Sequence, residues 1–498
     1  MTFTSPLFLA SLFAVMAVYW AVPSRFRWVA LLVVSYLLYA SVGPEYLLVL
    51  AGVTLTTYAG GRLLAAGWLA PRRRRALLGA AIAATLLPLL VFKYAEFGQR
   101  SLLAAAALLG LSASGGEPSF SLLLPLGISF YTLKGLSYLI DVSRDGTHVE
   151  RRLGRYALSI SFFPQIFAGP IERPRHFLAQ LDRARPFDRE AASAGLRLMA
   201  LGFFKKLVIA DQLALVVNHL YGDLHAHVGL PVLVAIVGFS LQIYCDFSGY
   251  SDIANGVGRL FGFEPVENFR RPYFARGFRE FWPRWHISLM TWFRDYLYIP
   301  LGGNRVSPKR QSMNLMAIFV LSGLWHGAAW TFVIWGALHG LFVVAESLAV
   351  RTGRGAARLV GAAHRARPRA GSRARATAQT LITFILATLA WIFFRAPHLN
   401  DALYVLSHAP RGLATQLHGW GSLWAALREA GLTPWTLSLL ALSVALLALV
   451  DSAEEWGLRS RLWATRTAWQ RRLAYYGLVA WILVGGAFGQ NAFLYFRF

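Results

Sequence analysis

Long apolar stretches recur along this 498-residue chain, and each could cross a lipid bilayer as a helix. A bilayer core of about 30 Å needs roughly 17–25 mostly apolar helical residues. Only 15% of the residues are charged, whereas a soluble protein carries about a quarter. The alternating pattern of a β-barrel is absent, so we predict an all-α polytopic membrane protein. The predicted spans are 6–22, 28–43, 44–60, 76–95, 120–140, 195–221, 230–250, 313–330, 331–350, 378–396, 433–451 and 473–491.

The net charge of +25 is carried mainly by arginines in short loops between the predicted spans. Basic loops of this kind mark the cytoplasmic face of a membrane protein. We therefore favour this interpretation over nucleic-acid binding, which would also need a basic surface. The loop 351–377 is rich in arginine, glycine and alanine, and we expect a flexible cytoplasmic linker that touches anionic membrane lipid.

His326 lies beside Trp325 in a predicted span that is otherwise free of charge. The neighbouring Gly323 and Gly327 would let another backbone or a narrow substrate approach its ring. An imidazole in such surroundings is expected to be neutral at pH 7, the form that can take a proton from an alcohol. A helix–helix hydrogen bond is the structural alternative. For His339, in a similar glycine-flanked setting, we favour packing.

His286 follows Pro283, and proline suits the first position of a helix, so we expect a helix to begin near Trp282. Helical periodicity then aligns His286 with Met290 and Phe293 on the buried side. The positive end of the helix dipole disfavours imidazolium there, so His286 is expected to be neutral and able to act as a base. A core histidine bonded to a carbonyl is the alternative.

Several ionisable residues lie inside or at the end of apolar runs. A charged side chain in the bilayer costs free energy unless it faces the interior of the protein. Lys205, Lys206 and Asp211 lie in the middle of one predicted span. Either their side chains extend to the lipid headgroups, or they line a water-filled space. Asp246 and Asp252 lie near the end of the next span. From there to about residue 310, aromatic, basic and proline-interrupted sequence predicts interfacial helices.

Common catalytic motifs are missing from the sequence. It contains no GxSxG nucleophile elbow, no Walker phosphate loop, no HExxH and no Cys/His spacing for zinc. A covalent serine enzyme, an ATPase and a metal site are therefore disfavoured. Among acyl-transfer mechanisms, the one that remains is direct attack by a substrate hydroxyl, assisted by a histidine.

Four segments resemble the membrane-bound O-acyltransferase family: YCDFSGYSDIANGVGRLFGFEPVENF, FWPRWHISLMTWFRDYLYIPLGGNR, LSGLWHGAAWTFVIWGALHG and the ending FLYFRF. The branch most similar is the membrane subunit of bacterial alginate and other exopolysaccharide O-acetylation. The resemblance covers nearly the whole chain and implies about a dozen transmembrane helices, with re-entrant and interfacial helices around a central tunnel. It implies that His326, in W-H-G, is catalytic and that His286, in W-H-x-S, assists. Pro283 and Arg497 depart from the usual arginine and glutamine.

Within these motifs we expect further residues to contact the substrate. They are Trp325, Trp330, Asp246, Asp252, Asn268, Arg294, Asp295 and Asn304. The resemblance implies transfer of an acetyl group from a cytoplasmic thioester, acetyl-CoA or an acyl carrier, across the bacterial inner membrane. No tightly bound cofactor is implied. Periplasmic acetylation proteins are expected partners, because no loop is large enough to hold a polymer.

Two other functions remain open at this point. One is D-alanylation of teichoic acid, whose membrane subunit shares both histidine motifs. The other is a lipid or polysaccharide transporter, for which Lys205, Lys206 and Asp211 could line a pathway. We expect a single domain, 1–498. It comprises scaffold spans 1–119, a catalytic core 120–350, the basic linker 351–377 and C-terminal spans 378–498.

Overall fold

The computed structural model describes residues 4–110, 123–146, 149–183, 185–351, 370–458, 465–489 and 493–494, and helices dominate these ranges. No β-strand occurs in them. The α-helices are α1 (Pro6–Ala21), α2 (Arg27–Ala40), α3 (Tyr46–Leu64), α4 (Pro71–Leu89), α5 (Ala95–Leu108), α6 (Ile128–Asp145), α7 (Leu153–Ser161), α8 (Pro174–Leu181), α9 (Arg189–Phe203), α10 (Asp211–Gly222), α11 (Leu230–Leu260), α12 (Phe278–Phe281), α13 (Ile287–Phe293), α14 (Pro308–His326), α15 (Trp330–Arg351), α16 (Ala370–Arg395), α17 (Leu399–His408), α18 (Leu413–Gln416), α19 (Trp420–Glu429), α20 (Pro434–Glu455) and α21 (Ala468–Gly485).

Three π-helical segments join or extend these helices, at Leu90–Tyr94, Phe204–Ala210 and Arg294–Tyr298. Such widened turns are rare and are found frequently at functional sites. The first lies between α4 and α5, so 71–108 forms one long helix. The second joins α9 to α10, and the third follows α13. Three short 3₁₀ turns lie at Ser24–Phe26, Leu224–Ala226 and Pro272–Phe274.

Every predicted span overlaps at least one helix, which confirms an all-α polytopic membrane protein. Six helices in the described part of the chain are long and apolar enough to cross a membrane. The other predicted spans coincide with helices that are shorter, more polar or interrupted, so a dozen crossings stays a prediction. The six are Tyr46–Leu64, Pro71–Leu108, Leu230–Leu260, Trp330–Arg351, Ala374–Arg395 and Pro434–Glu455.

The predicted basic linker 351–377 stays a prediction, although its C-terminal part is helical. Helix α15 ends at Arg351, and residues 352–369 lie outside the described residues. Helix α16 already begins at Ala370, so 370–377 is helical. Residues 370–377 continue directly into the apolar part of α16, so the helix can extend through them despite their charge.

Helices α14 and α15 form a tight antiparallel hairpin whose backbones touch. A Cβ atom on Gly323 would lie 2.2 Å from the carbonyl oxygen of Phe332, and one on Gly336 would lie 2.3 Å from that of Phe319. Neither contact is sterically possible, so both positions require glycine while the helices stay this close. Gly323, three residues before His326, therefore admits a neighbouring backbone, one of the two possibilities that the sequence offered, whereas Gly327 faces the ring of Phe332.

Two large hydrophobic clusters fill the interior. One is built mainly from the first seven helices and includes Trp325 and Phe247. The other includes Trp335 and Phe394, together with residues of α10, α16, α20 and α21. The rings of both candidate histidines contact the first cluster, and His326 contacts the second as well. The candidate site therefore lies at the boundary between the two packed regions.

Candidate active site

His286 directly precedes α13 rather than lying in a helix that begins near Trp282. The expected helix start was wrong, because residues 282–286 form a turn between α12 and α13. His286 has φ 44° and ψ 53°, the left-handed region that a non-glycine residue rarely adopts. This conformation costs about 1–2 kcal/mol, so the surrounding contacts must hold it. The residue remains at the positive end of a helix, as predicted.

Pairing between two loop segments holds His286 in this conformation. The backbone N–H of Ile287 donates to the carbonyl of Asn268 at 2.9 Å, and that of Arg270 donates to the carbonyl of Arg284 at 2.9 Å. The turn around His286 is thus bound at both ends to the segment that follows α11. Local sequence could not reveal this pairing, which explains why the helix was expected too early.

Asn268 fixes which nitrogen of His286 carries the proton. Its side-chain oxygen accepts hydrogen bonds from the backbone N–H of Ser288 at 3.3 Å and the Ser288 hydroxyl at 2.8 Å. Because a backbone N–H can only donate, the atom facing it must be the amide oxygen. The same oxygen lies 3.1 Å from Nδ1 of His286, so Nδ1 donates. Nε2, which has no hydrogen-bond partner among the described residues, is left as the acceptor.

His326 is the last residue of α14 and is only 4% exposed. Aromatic rings surround its imidazole: the ring centroids of Trp325, Trp335 and Phe394 lie 4.9, 5.1 and 5.4 Å away. The ring of His286 lies 6.3 Å away, centre to centre. The two histidines, forty positions apart in the sequence, therefore face each other in a site enclosed by tryptophan and phenylalanine.

Lys93, which the sequence analysis did not single out, holds the end of the His326 helix. Its ammonium donates to the carbonyl oxygens of Trp325 at 2.6 Å and His326 at 3.0 Å. The Tyr94 hydroxyl donates to the carbonyl of Leu324 at 2.7 Å. The last carbonyls of a helix lack partners within it and carry partial negative charge, so a cation there is stabilising. The π-helical turn Leu90–Tyr94 presents both side chains.

A cavity of about 70 Å³ adjoins His326. The ring is therefore not sealed on every side, although a tunnel that joins the two faces of the membrane stays a prediction. A volume of this size holds a few water molecules, since one water needs roughly 10–15 Å³ on the same measure. The walls of the cavity are formed by Lys93, Leu124, Pro125, Leu126, Gly127, Ile128, Ser129, Phe130, Phe167, Trp325 and His326.

Only some of the residues predicted to contact substrate lie beside the two histidines. Trp325 packs against both, with its ring 5.8 Å from that of His286 and 4.9 Å from that of His326, and Asn268 holds His286. Trp330 is 59% exposed and packs against Phe97, beyond the hairpin turn.

Three more residues that were predicted to contact substrate have partners other than the two histidines. Asp295 pairs with Arg173 at 3.2 Å and with Arg294 at 2.7 Å. The exposed Asn304 accepts a hydrogen bond from Tyr298 at 2.7 Å. None of the contacts of Arg294, Asp295 or Asn304 described here reaches either histidine.

The remaining predicted contacts, Asp246 and Asp252, are engaged in interior ion pairs. Lys206 binds Asp246 and Asp211, each at 2.7 Å, and Lys205 binds Asp252 at 2.8 Å. Asp246 also accepts a hydrogen bond from the backbone N–H of Leu494 at 2.8 Å, which ties the C-terminal segment to α11. Buried charges need partners, and these provide them for one another. Lys205, Lys206 and Asp211, which could line a transport pathway, are thus engaged in ion pairs.

His339 is fully buried in α15, and its ring lies among those of Trp282, Trp335 and Phe278 at 4.9 to 5.5 Å. Neither ring nitrogen has a hydrogen-bond partner among the described residues. Its aromatic surroundings match the packing role expected for it.

Comparison with known proteins adds independent information on this site. Residues 153–355, which contain both histidines, match the sequence profile of the membrane-bound O-acyltransferase family. A probable alginate O-acetylase, AlgI of Pseudomonas putida, is 39% identical over 408 residues, which is 81% of this chain and 79% of that protein.

Two other relatives share a smaller part of the chain. The peptidoglycan O-acetyltransferase of Helicobacter pylori is 36% identical over 315 residues, 57% of this chain and 56% of that protein. The teichoic acid D-alanyltransferase of Bacillus subtilis is 32% identical over 239 residues, 46% of this chain and 60% of that protein.

Proposed function

This chain belongs to the membrane-bound O-acyltransferase family, and from that premise we propose that it transfers acetyl groups for O-acetylation of an exopolysaccharide such as alginate. The observation that carries the proposal is the pair of buried histidines, His286 and His326, whose rings lie 6.3 Å apart, with a cavity beside His326. The name and coverage of the probable alginate O-acetylase support the choice of substrate.

The chemistry proposed for the site is direct transfer from a thioester to a hydroxyl. The neutral imidazole of His326 takes the hydroxyl proton while the oxygen attacks the thioester carbonyl carbon. The C–S bond then breaks, an ester forms, and the proton passes to the departing thiolate. His286, with Nδ1–H bound to Asn268, presents Nε2 as a second acceptor that positions the hydroxyl. The enclosing rings limit the access of bulk water, which would otherwise hydrolyse the thioester.

We infer that the thioester donor, acetyl-CoA or an acyl carrier, arrives from the cytoplasm and that the protein lies in the bacterial inner membrane. The basic loops support this orientation, since they mark the cytoplasmic side and attract an acidic donor. Periplasmic proteins would then pass the acetyl group to the polymer.

Replacing His326 by alanine tests the proposal, with His339→Phe as the matched control. Both residues are buried histidines of the same hairpin, but His339 lies among aromatic rings that accept phenylalanine. A general base contributes roughly 10²–10⁴-fold, so His326→Ala should lose nearly all transfer while His339→Phe retains it. Mass spectrometry of the exopolysaccharide from cells that express each variant measures acetylation. Normal acetylation with His326→Ala would refute the role of His326.

D-alanyl transfer to teichoic acid is the second candidate, favoured by the match to a teichoic acid D-alanyltransferase. That match covers 46% of this chain, against 81% for the probable alginate O-acetylase. Membrane vesicles supplied with labelled acetyl or labelled D-alanyl thioester would distinguish the two. We expect label to be transferred from the acetyl donor.

A further inference from the structure

A cavity of about 1320 Å³ lies between α9, α21 and the end of α20, apart from the two histidines. It is far larger than the cavity beside His326. Its walls combine arginines, tyrosines and aliphatic side chains. They are formed by Ser193, Leu196, Arg197, Ala200, Arg271, Glu454, Gly457, Ala468, Arg471, Arg472, Tyr475, Tyr476 and Val479.

The charge of the cavity wall is strongly positive. Four arginines and one glutamate line it, and that glutamate, Glu454, is already bound by Arg271 at 3.0 Å. No ion pair forms to Arg197, Arg471 or Arg472 within the part of the chain that the structure describes. Arg197 donates to the neutral hydroxyl of Ser193 at 2.8 Å. Three guanidinium groups are therefore available to an anion.

Arginine is well suited to phosphate, because its planar guanidinium donates two parallel hydrogen bonds to a pair of oxygens. The rest of the wall is apolar: Leu196, Val479 and Tyr476 are exposed on it. Helix α21 continues from there with exposed Leu483 and Val484. The arginines thus lie at one end of an apolar surface, and the tyrosines lie beside them. Membrane proteins commonly place tyrosines at the depth of the lipid headgroups.

We propose that this cavity binds an anionic glycerophospholipid, whose phosphate is held by Arg197, Arg471 and Arg472 and whose acyl chains lie along α21. An amphiphile of this kind satisfies both halves of the wall, whereas a free phosphate would leave the apolar half exposed. The bound lipid also contacts Arg271, which is linked through an ion pair to the turn at His286. Arg271 in the wall shares Glu455 with Arg284, two residues before His286.

The test uses the full-length protein in a neutral detergent, titrated with phosphatidylglycerol and observed by native mass spectrometry. Phosphatidylcholine and coenzyme A are titrated in parallel. The variant R471Q/R472Q should bind phosphatidylglycerol roughly 10- to 30-fold more weakly, as expected for two arginine contacts near a membrane surface. The control R72Q/R73Q removes the same charge from exposed positions in the first turn of α4 and should leave the affinity within about twofold.

Equal loss in both double variants, or no loss in R471Q/R472Q, would overturn the site. If coenzyme A rather than phosphatidylglycerol depends on these arginines, the phosphate belongs to a soluble donor and the lipid assignment is wrong. Arg197→Gln, a single change on the exposed face of α9, repeats the test should the double variant fail to fold. Its affinity for phosphatidylglycerol is expected to fall about fivefold.

Discussion

Replacing Lys93 by methionine is expected to abolish most of the activity while the protein still folds. The substitution keeps the length of the side chain but removes both hydrogen bonds to the carbonyls of Trp325 and His326. Hydrogen bonds from a charged donor contribute about 1.5–3 kcal/mol each. Methionine also avoids the desolvation cost of the ammonium, so we expect the free energy of unfolding to fall by no more than about 3 kcal/mol.

The effect on transfer should be larger than the effect on stability. The end of α14 carries His326, and without Lys93 its last carbonyls lose the cation that holds them against the π-helical turn. A displacement of about 1 Å at a reacting group costs on the order of 10²-fold in rate. Acetyl transfer in membrane vesicles and thermal unfolding in detergent would measure the two effects separately.

Lys309→Met is the matched control, because Lys309 is an exposed lysine at the opposite end of the same helix. It should keep the wild-type rate and unfolding temperature. Lys93→Arg retains the charge and should restore part of the rate. Wild-type transfer by Lys93→Met would refute the view that this lysine positions His326.

Three further perturbations test the packing, the interior charges and the periphery. Gly323→Ala should destabilise the protein by about 1–3 kcal/mol, because its Cβ would meet a backbone oxygen at 2.2 Å; thermal unfolding measures this. Asp246→Leu should cost roughly 3 kcal/mol in unfolding free energy, since it removes one partner of a buried lysine. The hydrogen bond to Glu172 raises the pKa of His176, so its stabilising contribution is complete below pH 6.5 and is lost as pH rises. His176→Gln should therefore lower the unfolding temperature at pH 5 and leave it unchanged at pH 9.

The first two of these have a control variant in the same chain, and for His176→Gln the comparison is between the two pH values. Gly52→Ala adds a Cβ with no atom within 4 Å and should be neutral or slightly stabilising. Asp223→Leu removes an exposed carboxylate and should change the unfolding free energy by less than about 0.5 kcal/mol. Equal effects in test and control would contradict the packing or ion-pair argument concerned. A pH-independent difference for His176→Gln would contradict the titration argument.

The helices and the two histidines could be predicted from the sequence because both leave local signals. Apolar runs of sufficient length predict helices regardless of what surrounds them. His326 and His286 were identified because imidazoles are unusual among tryptophans and leucines. The helices α14 and α15 were likewise predicted, as the spans 313–330 and 331–350, whereas their close backbone contact was not.

Contacts between distant segments could not be predicted in this way. Lys93 contacts the end of α14, although more than two hundred residues separate them in the sequence. No local sequence pattern indicates that contact. One signal was present, since Lys93 is the only charged residue in the predicted span 76–95, and such a residue has functional significance by default. The turn at His286 depends on pairing with 268–271, so helix-start rules failed there.

The left-handed backbone at His286 has a consequence for anyone who tries to make this enzyme more robust. Glycine adopts that backbone freely and would recover about 1 kcal/mol of conformational free energy, but it would also leave a cavity beside Phe247 and Trp325 and remove the hydrogen bond to Asn268. That loss exceeds the gain, so a substitution there should lower heat tolerance as well as turnover. A screen for robustness alone would therefore keep the imidazole.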